Sequence, residues 1–305
     1  MKWPEELNFL NSRKEKQKET NVPMTGFLSV VSGATSGIGL STIKVLAKAG
    51  SNIVMVCRNE DKAKPIKEEI ESLHKVNVDI VVADFMDFDS VRKAAEHIHK
   101  NYAKVNVLIN SVGIHSTRKR YNKDGIEQSF CVNHLSVFLF TELLLDKMKE
   151  SAPSRIIHVN SEGHRFSGVK LKDVNFKRRI YTGLKGYGQS KTAQLLTMQK
   201  HHEMLKGTGV TINACHPGAV KTSIGSNNGF LYRMFFKYVT SLFLKDVSIS
   251  SSALYYLSAS KEIEGVSRKF FNLTIEETPA KHATNQDMVV PVYELSKKMV
   301  GLMDV

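Results

Sequence analysis

FLSVVSGATSGIGLSTIKVLAK, residues 27–48, decides how this chain folds. Phe27–Val31 is a short apolar run rich in β-branched residues, which predicts a strand. A helical pattern follows through Ile43, Val45, Leu46 and Ala49. Between them lies Ser32-Gly33-Ala34-Thr35-Ser36-Gly37-Ile38-Gly39. Glycines in such a loop allow a tight turn, let the backbone approach a pyrophosphate and let the helix pack near the sheet. The helix N-terminus then offers N–H groups and a positive dipole end to the phosphates. The spacing is G-x-x-x-G-x-G rather than G-x-G-x-x-G, and its strand-to-helix setting predicts dinucleotide binding.

Strand and helix signals keep alternating beyond this unit. Strands are predicted at Ile53–Val56, Val78–Ala83, Val107–Asn110, Arg155–Asn160 and Val210–Ala214. Helices are predicted at 60–75, 88–101, 124–149 and 187–206. The expected fold is α/β: a Rossmann-type, doubly wound parallel sheet with helices on both faces, in a single domain. Residues 1–25 are expected to form an N-terminal arm, with Trp3, Leu7 and Leu10 packing back onto a body of residues 26–305.

The chain has 305 residues, 42% hydrophobic and 24% charged, which suits a soluble globular protein with a sizeable core. Cys57, Cys131 and Cys215 are too few and too scattered for a disulfide framework or a zinc site, so reduced, intracellular thiols are expected. Glu5, Glu6 and a Lys/Glu run stand where the apolar core of a signal peptide would lie. No run of 18 apolar residues predicts a membrane span, and a cytoplasmic protein is expected. The net charge of +13 gathers around Arg118, Lys119, Arg120 and Lys123, and around Arg165, Lys170, Lys172, Lys177, Arg178, Arg179 and Lys185. These runs are either solvated loops or a positive field for an anionic cofactor, substrate or membrane surface. No recognised nucleic-acid motif accompanies them, and no nucleic-acid partner is expected. His115, His134, His158, His164 and His216 show no metal-binding pattern, so no metal is expected and structural roles are favoured.

The end of the second strand sets the choice of dinucleotide. An acidic residue there would bond the ribose 2′-OH of NAD, whereas an arginine suits the 2′-phosphate of NADP. The chain reads Cys57-Arg58-Asn59, which predicts NADP(H) in preference to NAD(H), gripped by Arg58.

Tyr187-Gly188-Gln189-Ser190-Lys191 places a tyrosine and a lysine on one helix face. The ammonium there would favour the phenolate and lower the phenol's pKa from about 10. Such a phenol can give a proton to a carbonyl or take one from an alcohol. Upstream, in order, stand Ser32–Gly39, Asn110-Ser111-Val112-Gly113 and Ser161. Together these motifs resemble the short-chain dehydrogenase/reductase family of the Tyr-x-x-x-Lys type, over about residues 26–300. Val132-Asn133-His134-Leu135, His216-Pro217-Gly218 and Glu264-Gly265-Val266-Ser267 are similar to its retinol dehydrogenase-like branch, as is the long interval between Ser161 and Tyr187.

The resemblance implies an oxidoreductase acting on a small-molecule carbonyl or alcohol. Tyr187 would be the acid/base, Lys191 would tune it and hold the nicotinamide ribose, Ser161 would bond the substrate oxygen, and Asn133 would hold a relay water. It further implies cofactor contacts from Ser32, Gly33, Thr35, Ser36, Gly37, Ile38, Gly39, Arg58, Asn59, Asp84, Phe85, Asn110, Ser111, Val112, Gly113, Tyr187, Lys191, Pro217, Gly218, Val220 and Thr222. Gly163, His164, Phe230 and Met234 would join Ser161 and Tyr187 at the substrate. The sequence departs from the family pattern at Ser32, at Ser111-Val112 and at Asn160. By the same resemblance, residues 223–246 would be a lid. The apolar residues between Phe230 and Leu244 suggest a lipophilic substrate such as a retinoid, steroid or long-chain carbonyl; core packing and an interface helix are the rival readings. Arg233 and Lys237 admit peripheral membrane contact there, and a homodimer or homotetramer through the helices after the fourth and fifth strands is expected. A C=C reductase and a non-catalytic NADP-binding regulator stay open as alternatives.

Overall fold

The computed structural model describes residues 15–218 and 247–303. Eight strands form one sheet in the order β3-β2-β1-β4-β5-β6-β7-β8. They are β1 Leu28–Ser32, β2 Asn52–Cys57, β3 Val78–Val82, β4 Val107–Asn110, β5 Ser154–Val159, β6 Val210–His216, β7 Phe270–Asn272 and β8 Ile275–Glu277. All neighbours pair in parallel except β7 and β8. The α-helices among the described residues are α1 Gly37–Lys48, α2 Glu60–His74, α3 Phe88–Asn101, α4 Gln128–Glu150, α5 Gly183–Leu205, α6 Val247–Ala259 and α7 Gln286–Met299.

Successive strand residues point to opposite faces of the sheet, and here both faces are apolar. Val30, Val54, Leu108 and Ile156 pack with α3, α4, α5 and α7. Val31, Ile53, Met55, Ile109 and Ile157 pack with α1, α2 and α6. This is the expected doubly wound, single-domain fold. The strand order reverses between β1 and β4, and that switch point opens a crevice at the carboxyl ends of the strands.

Side-chain caps set several helix starts. Asn59 accepts from the Lys62 N–H at the head of α2, and Asp87 accepts from Asp89 N–H at the head of α3. Such caps contribute about 1 kcal/mol each. α5 begins four residues before the predicted 187, because the Thr182 hydroxyl accepts from Lys185 N–H. α4 begins at Gln128 rather than at Asp124, because buried Glu127 accepts from the N–H groups of Ser129 and Phe130. α4 is long and apolar enough in composition to cross a membrane, but 83% of the relevant window is buried inside the fold, as in a core helix.

Trp3, Leu7 and Leu10 of the expected arm lie outside the described residues. Residues 15–25 run against the body. Gln17 and Lys18 hydrogen-bond Thr274, Lys18 pairs with Glu262, Tyr255 donates to the Val22 carbonyl, and Met24 is fully buried.

Candidate active site

The glycine loop closes tightly over the switch point. Gly33 has φ +72°, and a Cβ there would sit 3.0 Å from the Val112 Cα. A Cβ on Gly39 would sit 2.3 Å from the Gly33 carbonyl oxygen. The first glycine therefore lets the loop lie on the β4 extension, and the third lets α1 butt against the loop. Ser32 Oγ accepts from the N–H groups of Ser111 and Val112 at 3.1 and 3.3 Å, clipping the two strand ends together. That explains the hydroxyl at position 32, and it commits the Ser32 side chain to the scaffold. Val112 contacts Gly33 through its backbone, and its partly buried side chain packs against the core. Thr35, Ser36, Gly37 and Ile38 form the more open rim at the head of α1.

Other expected cofactor residues divide between rim and core. Arg58 is exposed at the end of β2, and Asn59 caps α2. Asp84 is half-buried at the end of β3, its Oδ1 accepting from Met86 N–H. Phe85 is a core residue, edge-on to Phe140 at 5.8 Å. Asn110 needs a correction. Its side chain is fully buried, with Nδ2 3.1 Å from Thr141 Oγ1 and 3.2 Å from His158 Nδ1, so the amide is committed to the core. Pro217 and Gly218 follow β6, Gly218 with φ +82°. Val220, Thr222, Phe230, Met234 and the expected lid at 223–246 lie outside the described residues.

The four expected catalytic residues converge. Lys191 and Asn133 both flank Gly113: a Cβ there would sit 3.8 Å from Lys191 Nζ and 3.6 Å from Asn133 Oδ1. Lys191 is 3% exposed, donates to the Val159 carbonyl at 2.7 Å and lies 5.8 Å from the centre of the Tyr187 ring. Burial holds its amine down to about 7, so it exchanges its proton near neutrality. Asn133 sits in a π-turn, Cys131–Leu135, inside α4. Its side chain clamps the Ile114 backbone through Oδ1 and Nδ2 at 2.8 and 2.9 Å. The amide is thus spent on the loop after β4 and on Ser190 Oγ at 3.1 Å, and the Asn133 backbone carbonyl accepts from Gln194 Nε2 at 3.4 Å. π-turns disrupt the regular ladder and recur at functional sites.

Ser161 and Tyr187 meet across Gly163. A Cβ on Gly163 would sit 2.6 Å from Tyr187 Cε1 and 3.3 Å from Ser161 Oγ. Gly163 is therefore the seat of the Tyr187 ring rather than simply a substrate contact. Gly163→Ala is expected to push the ring aside and lower kcat by about tenfold or more, given how steeply rate depends on placement. Unchanged kcat in steady-state assays of that variant would show that the ring is seated elsewhere. The half-exposed Tyr187 ring also meets His115 edge-on at 5.4 Å, where burial lowers the His115 pKa and favours neutral imidazole.

Two expectations are corrected here. His164 is fully buried and does not face the crevice. Its Nε2 accepts from Ala280 N–H, which leaves Nδ1 to donate to the Ser161 carbonyl at 2.8 Å. Arg165 is not part of a solvated basic run: it is 5% exposed, ion-paired with Glu162 and Glu277, and bonded to the Thr278 carbonyl.

Asn160 carries a role that its sequence position did not disclose. Its Oδ1 accepts from Ser161 N–H at 2.8 Å, and its Nδ2 donates to the Lys191 carbonyl at 3.0 Å and to Gln194 Oε1 at 2.7 Å. One buried amide thus ties the end of β5 to the turn of α5 that carries the lysine. The departure from a small residue was the available signal.

The family profile for short chain dehydrogenase matches residues 28–229. Retinol dehydrogenase 13 of Homo sapiens is 35% identical over 280 residues, covering 90% of this chain and 84% of that protein. An uncharacterised Mycobacterium paratuberculosis protein superposes with a TM-score of 0.73 at 23% identity, covering 92% of this chain and 96% of that one. A short chain dehydrogenase of Shigella flexneri, solved in complex with NADP, superposes with a TM-score of 0.66 at 16% identity, covering 83% and 99%.

Proposed function

This chain belongs to the short-chain dehydrogenase family, whose members bind NAD(P), and on that footing we propose that it interconverts a carbonyl and an alcohol with NADP(H), on a lipophilic substrate. The observation that carries the reading is the meeting of Ser161 and Tyr187 across Gly163, with Lys191 and Asn133 behind them at Gly113. The crevice suits a dinucleotide: a glycine-rich loop borders it, the head of α1 opens onto it, and side chains at Gly33 or Gly39 would push that loop off the β4 extension or off α1. When bound, the nicotinamide supplies or accepts the hydride.

The chain's own residues handle charge and proton. Negative charge gathers on the substrate oxygen as a carbonyl is reduced. Ser161 Oγ and the Tyr187 phenol are the donors placed to meet it, and Tyr187 transfers the proton. Lys191, buried beside the ring, stabilises phenolate when charged and relays a proton near neutral pH. Asn133 keeps the 113–114 backbone fixed beside it.

Arg58 supports NADP(H). It stands exposed at the end of β2, in a Cys57-Arg58-Asn59 stretch without a carboxylate, and Asn59 is occupied as a cap. Arg58→Ala is expected to lower kcat/KM for NADPH by about ten- to a hundredfold, the worth of a charge-assisted phosphate contact, and to leave NADH nearly unchanged. Parallel kinetics with both dinucleotides measure it; equal losses for both would remove Arg58 from the 2′-phosphate. The name of retinol dehydrogenase 13 supports an apolar alcohol or aldehyde, as does Phe166, 47% exposed on the turn that begins at Ser161. Self-association through α5 is less favoured, because α7 covers it with buried Val289, Val292 and Tyr293.

A further inference from the structure

The two basic runs, far apart in sequence, form one surface. Lys119 Nζ donates to the Phe176 carbonyl at 3.1 Å, the Tyr121 hydroxyl to the Asn175 carbonyl at 3.3 Å, and the Tyr181 hydroxyl to the Ser116 carbonyl at 2.9 Å. These bonds bring residues 115–123 and 176–186 together, and neither stretch contains an acidic residue. Arg118, Arg120, Lys177, Arg178 and Lys185 are all exposed on it. Nearby Asp173 is turned inward, accepting from the N–H groups of Lys177, Arg178 and Arg179 and pairing with Arg179 at 3.6 Å. Those bonds also fix the 177–179 turn.

Apolar side chains stand among the cations. Ile180 is 82% exposed and Leu184 is 48% exposed. A single exposed aliphatic residue needs no explanation. Lys123, at the edge of this surface, is paired with Asp87 and Asp89, and the two aliphatic residues among the other cations form an amphipathic face. That face borders the active site. Leu184 lies one turn before Tyr187 on the same side of α5. The neighbouring Gly183 abuts the Ser116 carbonyl and the His115 ring, which meets Tyr187 edge-on.

We propose that this face docks on an anionic lipid bilayer, with Ile180 and Leu184 entering the interface, the cations on the headgroups and the Tyr187 crevice opening toward the membrane. Charge complementarity favours the anionic surface, and the apolar tips favour a bilayer over a nucleic acid, which would leave them in water. This surface is separate from residues 230–244. The docking rests on surface chemistry alone; the delivery of substrate from the bilayer rests on the lipophilic-substrate reading above.

Flotation of the full chain with vesicles tests it, using phosphatidylcholine alone and phosphatidylcholine with phosphatidylglycerol. The wild type is expected to float with the mixed vesicles and to be released by raised salt. The Ile180→Ser/Leu184→Ser and Lys177→Ser/Arg178→Ser variants are each expected to bind them roughly tenfold more weakly. All should reduce a water-soluble carbonyl at the wild-type rate. As an independent readout, the Trp of Ile180→Trp should shift to the blue on mixed vesicles relative to the wild-type background. No wild-type flotation, equal binding to both vesicle types, unchanged binding of both double variants, or binding to DNA without binding to vesicles would each overturn the proposal. Loss of soluble-carbonyl turnover in the wild type with intact flotation would instead count against the enzymatic reading and leave the docking standing.

Discussion

Tyr187→Phe is expected to lower turnover by about 10²- to 10⁴-fold, the usual worth of a positioned acid/base. The substitution removes one oxygen and keeps the ring. Gly163 still seats it, His115 still meets its edge, and Lys191 stays beneath it, held by the Val159 carbonyl. NADPH affinity should therefore change little, because none of the crevice walls moves. Steady-state kinetics and a fluorescence titration of NADPH, run on the same preparation, separate the two effects. A variant retaining a large part of wild-type turnover would place the proton donor elsewhere. A variant that lost cofactor affinity in parallel would make Tyr187 a binding residue.

Gly39→Ala is expected to lower NADPH affinity by about a hundredfold or more and to reduce the melting temperature. The added Cβ would lie 2.3 Å from the Gly33 carbonyl oxygen and 2.9 Å from its carbon. Both are backbone atoms, so no rotamer change relieves the clash. α1 has to move away from the loop, or the loop has to lift from the Val112 backbone. Overpacking of this kind costs about 1–3 kcal/mol or more, and displacement of the loop falls directly on the N–H groups offered to the phosphates. Gly163→Ala is the informative contrast, since its clash falls on the Tyr187 ring and should spare the cofactor. Unchanged NADPH binding by Gly39→Ala would mean that the loop does not cradle the dinucleotide.

Much of this arrangement was legible because strands buried on both faces read as short apolar runs. Val30-Val31 and Ile156-Ile157 each send one residue to either side of the sheet, and neither side tolerates polarity. Beyond residue 214 that legibility ends. β7 and β8 have three residues each, too few for a pattern. α6 carries serines that look polar but are buried: Ser258 bonds the Leu254 carbonyl and Ser250 the Pro217 carbonyl. Asn110, His164 and Arg165 were misplaced for a shared reason. Their partners come from distant segments, Thr141 and His158 for the first, Ala280 and Glu277 for the others. Motif position alone could not show which way these side chains turn. Asn160 is the converse case, an unusual residue whose purpose emerged only when α5 placed the Lys191 carbonyl and Gln194 beside it.

The central claim is that Ser161, Tyr187 and Lys191 serve NADP(H)-linked interconversion of a carbonyl and an alcohol. The most direct measurement follows nicotinamide absorbance as the full chain meets a panel of lipophilic aldehydes and ketones with NADPH, and identifies the product. The account predicts NADPH consumption matched by the corresponding alcohol, with carbon–carbon double bonds intact, and NADPH favoured over NADH. Saturated carbonyl products formed from conjugated substrates, or tight NADPH binding without turnover across the panel, would contradict it.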